Sequence, residues 1–362
     1  MRKIAFFVYD FCTYGGVVRV ITNLAGELIK YADVYIISLR KKDNRKLEWF
    51  PDGVRYIELD IPVGGIIKNY FSAKKQICDV VNKYEIDVVV LQHEYEGFFG
   101  KEIKRLTSAK VISCDHGNIY DVSLASFKHD IKLARMAKGC DILIVETERC
   151  KNSYIEKFHI PEGKIQVIPN WLDEEIDHND RYDIDSKKII SVGRLARQKG
   201  YDLLIEAFDK VHQKHPDWVI DLYGDGSERK LLEDMIEKYH LEHHIILKGI
   251  LLDMQRLYRG YSFYVMSSRH EGFGMVLLEA KHNRLPAISF DIDAGPSDII
   301  TDGFSGILVK DGDVQGLADA ICRMIENPDL RLEMSRNTQI DIVKFYKSSV
   351  LKKWLDILEI HV

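Results

Sequence analysis

The sequence predicts an α/β protein of two Rossmann-like, doubly wound domains, and three observations carry that prediction. Short β-branched and aromatic runs alternate with longer amphipathic segments from the first residues, the rhythm of βα units on a parallel sheet. The rhythm stops in an acidic stretch after Pro169 and restarts at Lys188. With 362 residues, 46% of them apolar, the chain can bury two cores and would be unusually large for one.

In the first half the expected strands are Ile4 to Tyr9, Val34 to Leu39, Asp87 to Leu91, Lys110 to Cys114, Asp141 to Glu146 and Lys164 to Ile168, each followed by a helix. The first helix sets Val17, Val20, Ile21, Leu24, Ala25 and Leu28 on one face, which packs on the sheet. Asp173 to Asp185 is too charged to bury and reads as a linker. Strands then recur at Lys188 to Val192, Val219 to Tyr223, Ile245 to Lys248, Phe263 to Ser267, Pro286 to Phe290 and Gly306 to Val309. From Leu330 onward strong helix formers continue, with Trp354, Leu355 and Leu358 at helical spacing. The expected divisions are an N-terminal domain over 1–170, a linker over 171–186, a C-terminal domain over 187–340, and a final helical segment over 341–362 that packs back toward the first domain. Two such domains facing a central cleft place the ligand at the carboxyl edges of both sheets, so the chemistry belongs in the loops after strands.

Composition narrows the partners. A formal net charge of -5 and a pI near 6.2 give no overall attraction for nucleic acid. Six cysteines, none in a Cys-x-x-Cys pair, argue against a zinc site and a disulfide framework and fit a reducing compartment. After Arg2 and Lys3 only Ile4 to Tyr9 is apolar, too short for a signal-peptide core, and no run reaches the roughly 18 apolar residues of a membrane-spanning helix. A cytoplasmic protein, at most peripheral on the inner face of the cell membrane, is expected.

Four stretches carry chemistry. Thr13-Tyr14-Gly15-Gly16 follows the first strand and opens a helix, so the backbone can approach a ligand and helix amides can receive anionic oxygens. Gly193-Arg194-Leu195-Ala196-Arg197-Gln198-Lys199-Gly200 holds the corresponding place in the second half. There Arg194 offers a fork and Lys199 a point charge to a diphosphate, without the spacing of a Walker loop. Tyr223-Gly224-Asp225-Gly226, with Lys248-Gly249, shapes a base and diphosphate pocket, although a lone G-x-G is a weak signal. The most specific stretch runs Ser267-Ser268-Arg269-His270-Glu271-Gly272-Phe273-Gly274-Met275-Val276-Leu277-Leu278-Glu279-Ala280. Its loop carries Glu271, and its helix, starting near Met275, carries Glu279. The helix N-terminus can meet a phosphate while the carboxylates accept from sugar and ribose hydroxyls.

Glu271 and Glu279, within Glu-Gly-Phe-Gly-Met-Val-Leu-Leu-Glu-Ala, closely resemble the E-x7-E motif of glycosyltransferase family 4. Gly193, Arg194, Gln198, Lys199 and Gly200 look like that family's donor-phosphate motif. Gly15-Gly16 and Val167-Ile168-Pro169-Asn170 match in order, so the resemblance covers nearly the whole chain. It implies the GT-B architecture and a retaining transferase with no obligatory metal or cofactor, which uses a nucleotide sugar. Arg194 and Lys199 would bind the diphosphate, Glu271 the transferred sugar and Glu279 the ribose, with Phe273, Gly274, Met275 and Val276 at the donor phosphates. His116, in Asp115-His116-Gly117-Asn118, stands where the family often places a histidine near the donor sugar. One departure is Asp293-Ala294-Gly295-Pro296-Ser297-Asp298: its Gly-Pro resembles the members that build bacterial surface polysaccharides, often from UDP-sugars. The implied acceptor is a hydroxyl of a glycan or lipid-linked saccharide.

Other features compete. Three Asp-x-Asp triplets, at Asp183 and Asp185, Asp291 and Asp293, and Asp311 and Asp313, can hold a divalent metal in the other transferase fold, but coincidence in an acidic chain is the plainer reading. Lys128, Lys132, Arg135 and Lys138 line one helical face beside Phe127, Ile131 and Ala134. Such a stripe can rest on anionic lipid at about 1 kcal/mol per basic residue or simply be solvated. Acceptor contacts are expected around Gly64-Gly65, Lys68 and Glu94 to Phe99, with His93 and Glu94 open to a structural or a catalytic reading. The rival functions are a UDP-sugar epimerase of the same architecture, a phosphorylase, for which no lysine context marks a pyridoxal phosphate site, and a nonenzymatic sugar-nucleotide binding subunit.

Overall fold

The computed structural model describes residues 1–11, 16–40, 50–61, 69–117, 127–172, 182–251, 258 and 260–361. The chain divides into two compact units, Met1–Pro169 with Leu351–Val362, and Asn170–Val350.

The first unit runs β1 (Lys3–Val8), α1 (Gly16–Leu28), β2 (Asp33–Ser38), β3 (Arg55–Glu58), α2 (Tyr70–Tyr84), β4 (Val88–Leu91), α3 (Glu94–Gly97), α4 (Gly100–Leu106), β5 (Lys110–Asp115), α5 (Phe127–Gly139), β6 (Ile142–Val145), α6 (Glu148–Phe158) and β7 (Ile165–Val167). The seven strands pair in parallel in the order β3-β2-β1-β4-β5-β6-β7. Central strands with helices on both faces must be apolar throughout, and Ile4, Ala5, Phe6 and Phe7 of β1 are fully buried. The sequence reading missed β3 and expected a helix after β2. Arg-Tyr-Ile-Glu is a half-exposed edge strand without a buried apolar run, held by pairing to β2 and by the Arg55 guanidinium donating to Tyr35 Oη at 2.6 Å.

The second unit runs β8 (Lys188–Val192), α7 (Tyr201–His212), β9 (Val219–Tyr223), α8 (Arg229–Lys238), β10 (Ile245–Gly249), β11 (Phe263–Met266), α9 (Met275–His282), β12 (Ala287–Asp291), α10 (Pro296–Ile299), β13 (Gly306–Lys310), α11 (Val314–Glu326) and α12 (Pro328–Asp341). Its parallel sheet is ordered β10-β9-β8-β11-β12-β13. The apolar stripe of α7 (Leu204, Ile205, Phe208, Val211) and that of α11 (Leu317, Ile321, Met324) bury in one core with Ile220 and Phe263 of the sheet. Residues 173–181 of the expected linker lie outside the described residues, and its end is not free chain. Tyr182 Oη donates to the Ser262 carbonyl at 2.6 Å, and Arg331 donates to the Ile184 carbonyl at 3.0 Å.

The last helix, α13 (Lys347–Ile357), starts in the second unit, and from Leu351 the chain belongs to the first. There Glu359 accepts from Arg2 and Lys110 at 2.6 Å each, and those two cations, Lys110 foremost, hold its carboxyl down to about 2.

Each sheet reverses its strand order next to its first strand, between β1 and β4 and between β8 and β11. Ligands of doubly wound folds bind at the carboxyl ends of the strands at that reversal, because the flanking loops leave in opposite directions and open a crevice.

Candidate functional site

In the second unit the two loops beside the reversal are laced together. Gln198 Nε2 donates to the His270 carbonyl at 2.8 Å, the Arg269 N–H donates to the Gln198 carbonyl at 2.8 Å, and Ser267 Oγ donates to the Lys199 carbonyl at 3.0 Å. The Arg269 fork grips Asp202, at the start of α7, at 2.7 and 2.6 Å. Burial alone would raise the Asp202 carboxyl, but this guanidinium carries it below its ordinary value. Backbone contact makes glycine obligatory at the join: Gly200 sits at φ 63°, and a Cβ there would lie 2.0 Å from the Ser267 carbonyl oxygen.

The charged groups gather on this frame. Lys199 Nζ lies 2.6 Å from Glu271 Oε1, which also accepts from Ser268 Oγ at 2.6 Å. Their side chains are 19% and 9% exposed, so the pair is shielded yet reachable. Arg194 is exposed and makes no ion pair among the described residues, leaving its five donors available. Beyond Gly272 and Phe273 the chain enters α9 through Gly274 (φ 96°), and the first N–H groups of the helix, at Met275 and Val276, have no intrahelical acceptor. One turn on, the half-buried Glu279 accepts from the buried Tyr258 Oη at 2.9 Å. The departing stretch packs here too, since a Cβ at Gly295 (φ 98°), just before Pro296, would lie 2.1 Å from the Phe273 carbonyl.

The remaining glycines singled out from sequence meet at the ends of neighbouring strands. Gly193 N donates to the Tyr223 carbonyl at 2.9 Å, Leu195 N to Asp225 at 3.0 Å, and Gly224 N to Gly249 at 2.9 Å. Behind them Tyr261 Oη donates to the buried Asp221 at 2.7 Å and shares a 3.1 Å hydrogen bond with Tyr223 Oη. The second-unit residues expected from sequence to bind phosphate and sugar, Gly193, Arg194, Lys199, Gly224, Gly249, Glu271, Phe273 to Val276 and Glu279, therefore lie at one sheet edge.

The first unit presents a different edge. Gly16 opens α1, whereas Thr13, Tyr14, Gly15, Asn118, Gly64, Gly65 and Lys68 lie outside the described residues. His116 follows β5 with both ring nitrogens engaged, Nδ1 to Glu146 at 2.7 Å and Nε2 to Gln92 at 2.8 Å. Expected near the donor sugar, it is only 10% exposed, and a ligand at Nε2 must take the place of Gln92. Asp115 accepts from Tyr154 Oη at 2.7 Å and from Gly117 N at 3.0 Å. Burial, and then His116, lowers His93 to about 4, so His93 is neutral at physiological pH. Burial pushes Glu96 up to about 8, with the backbone of Glu96, Tyr9 and His93 pulling only partly the other way.

Sequence reasoning missed Gln92, Glu146, Ser268, Tyr258 and the Arg269–Asp202 clamp. Ser268 and Arg269 stand inside the glutamate stretch but no spacing marks Ser268 as the partner of Glu271, and the others matter only through partners distant in the chain. It also overstated the basic stripe. In α5, Arg135 is tied to Glu102 at 2.9 Å and its guanidinium lies 3.9 Å over the Phe98 ring, while Lys132 lies over Tyr95. Lys128 and Lys138 stay exposed beside Phe127 and Ile131. Two of the Asp-x-Asp triplets serve local turns: Asp183 accepts from Asp185 N at 3.2 Å, and Asp313 caps α11 by accepting from Gly316 N at 2.9 Å.

A guanidinium, an ammonium and a helix start beside two carboxylates suit a phosphorylated, polyhydroxylated ligand whose phosphates gain charge as a bond breaks. The family described as Glycosyl transferases group 1 matches residues 173–341, and Glycosyltransferase Family 4 matches residues 14–176. A Haemophilus influenzae protein described as an uncharacterized glycosyltransferase is 24% identical over 99% of this chain and 100% of its own length. The poly(ribitol-phosphate) alpha-N-acetylglucosaminyltransferase of Staphylococcus aureus is 30% identical over 64% of this chain, which spans only 46% of that enzyme. Among solved structures, a variant of S. aureus TarM in complex with Fondaparinux, alpha-GlcNAc-glycerol and UDP superposes with a TM-score of 0.77 at 17% identity, covering 99% of this chain and 100% of that one.

Proposed function

The chain belongs to the family 4-like glycosyltransferases of GT-B architecture, and we propose that it is a retaining enzyme. It takes a sugar from a UDP-sugar, UDP-N-acetylglucosamine first among them, and passes it to a hydroxyl of a glycan or lipid-linked saccharide during bacterial surface polysaccharide synthesis. The observation that carries this reading is the gathering of Arg194, the Lys199–Glu271 pair, the start of α9 and Glu279 at one sheet edge. The names of two relatives support the choice of donor, one an alpha-N-acetylglucosaminyltransferase and one solved with UDP and alpha-GlcNAc-glycerol. An alpha product from an alpha-linked nucleotide sugar is retention.

The donor diphosphate takes the Arg194 fork, Lys199 and the amides of Met275 and Val276. Lys199 is held in advance by Glu271, so the phosphates meet an oriented cation, and Glu271 turns to the sugar hydroxyls as the ammonium shifts toward phosphate. Glu279, oriented by Tyr258, accepts from the ribose. The acceptor hydroxyl attacks the anomeric carbon from the face UDP leaves; the carbon–oxygen bond to phosphate breaks, and the hydroxyl proton passes to the departing phosphate oxygen. Arg194 and Lys199 stabilise the growing charge where other transferases use a divalent metal, so no metal is required. Among the described residues no helix is long and apolar enough to cross a membrane. The reading places the enzyme in the cytoplasm, with Lys128, Lys138, Phe127 and Ile131 touching the inner membrane face when the acceptor is lipid-linked.

The first test is thermal stabilisation by UDP, GDP, ADP and their sugars in EDTA. A shift with UDP and one UDP-sugar alone is expected. A shift with GDP or ADP instead, or with none, overturns the donor assignment. Product analysis by NMR then reads the linkage: an alpha anomer supports retention, a beta anomer rejects it, and a changed free UDP-sugar without acceptor identifies an epimerase.

A further inference from the structure

At the edge of the second sheet opposite the donor loops, three potential ligands converge. Helix α7 leads away from the carboxyl edge, so His215, just past its end and before β9, lies at the amino edge. Helix α11 also ends there, with Cys322 and Glu326 one turn apart on the face toward His215. One ligand atom from each of His215, Cys322 and Glu326 lies within 4.8 Å of the other two. His215 Nε2 and Glu326 Oε1 are 3.1 Å apart, which accounts for two members as a side-chain hydrogen bond. The third is not explained by that pair: Cys322 is 7% exposed, and its thiol is set beside a carboxylate and an imidazole.

We propose that His215, Cys322 and Glu326 form a binding site for Zn²⁺, with water as the fourth ligand on the exposed side. The donor set decides the metal: one sulfur, one imidazole nitrogen and one carboxylate oxygen suit a borderline-soft tetrahedral ion and not Mg²⁺ or Ca²⁺. Bond lengths of about 2.3 Å to sulfur and about 2.0 Å to nitrogen and oxygen put tetrahedral ligand atoms roughly 3.3–3.7 Å apart. The cluster must therefore tighten by about an ångström, a movement open to the Glu326 side chain, which is 55% exposed. Zn²⁺ takes cysteine as the thiolate, so binding releases the Cys322 proton. The ion fastens the turn after α7 to the end of α11. Lying at the amino edge, it touches none of the donor-binding groups, so it stabilises the second unit without joining the chemistry. The separation in sequence hides it from any spacing rule.

The test is titration of tag-free, full-length protein with Zn²⁺ alone, in a buffer that does not chelate, by calorimetry and thermal unfolding, with Co²⁺ as the spectroscopic probe. One equivalent bound at micromolar or tighter affinity, a higher unfolding midpoint and a thiolate-to-cobalt charge-transfer band are expected. Cys322→Ala should abolish the band, and His215→Gln should weaken binding by at least the 10–100-fold typical of losing a partner that merely orients a ligand. Because Cys322 belongs to the packed core, Glu326→Gln on the exposed side is the companion variant, expected to weaken binding without lowering the metal-free midpoint. No binding by the wild-type protein overturns the proposal. So does binding that persists unchanged in Cys322→Ala and Glu326→Gln, which would assign the metal to other imidazoles such as the adjacent pair His212 and His244, whose ring centroids lie 3.9 Å apart.

Discussion

The two units share a sheet topology and a reversal point but use them in opposite ways. At the carboxyl edge of the second sheet the ionisable groups are charged, partly exposed and paired with partners they can exchange: Lys199 with Glu271, and Arg194 with solvent. At the same edge of the first sheet they are taken out of water. His93 is brought down to about 4, Glu96 is brought up to about 8, and His116 is locked between Glu146 and Gln92. One architecture thus supports partly exposed, paired charges at the sheet edge of one unit and buried, shielded groups at the sheet edge of the other. The electrostatics of each edge are therefore set by its own loops and not by the shared fold.

The sharpest way to break this comparison is to remove a donor-side charge. Lys199→Ala and Glu271→Gln should each lower turnover at saturating donor by about 10²–10³-fold, the cost of losing one preorganised contact to a charged leaving group or sugar. Normal turnover by either, in steady-state assays, would detach the pair from the chemistry.

Next in size is the buried carboxyl of the first unit. Its folded value of about 8 lies above the unfolded one, so the native state holds a proton that the unfolded chain gives up. Stability should fall as pH rises from the ordinary carboxylate range through 8, by up to about 4 kcal/mol at pH 8. Glu96→Gln should remove that fall and make the protein more stable than wild type near pH 8, with little difference near pH 4.5. His93 has the opposite sign: folded below unfolded, it contributes stability above its ordinary value that is lost as pH drops toward 4. Denaturant titrations across pH would separate the two limbs, and a flat profile in the wild type would contradict both.

A smaller effect tests the lacing of the loops after β8 and β11. Gly200→Ala places a methyl against the Ser267 carbonyl at a positive φ, and should cost about 1–3 kcal/mol and weaken UDP binding with it. Loss of stability with unchanged UDP affinity would show that the two loops act independently. Smallest is Lys128→Glu, expected to reduce binding to anionic vesicles by about 1–2 kcal/mol while leaving transfer to a soluble acceptor unchanged. Vesicle binding insensitive to this change would move membrane contact off α5.

Much of this protein can be read without coordinates. The short apolar runs and the helical patterns between them locate the interior strands because a buried parallel strand must be apolar throughout, and the edge strand Arg55–Glu58 escapes for the same reason. Gly200, Glu271 and Glu279 are legible because loop and helix chemistry is local: a tight backbone approach demands glycine, and a helix start beside acidic groups can be recognised from spacing. Only the tertiary structure joined Lys199 to Glu271, Tyr258 to Glu279, His116 to Glu146, and Cys322 to His215. Those partnerships also decide which charges face a ligand and which are shielded, as when Glu102 and Phe98 claim Arg135 from a stripe that looked free. Sequence reports what each short segment can do; burial and pairing depend on segments that meet only after the sheets have formed.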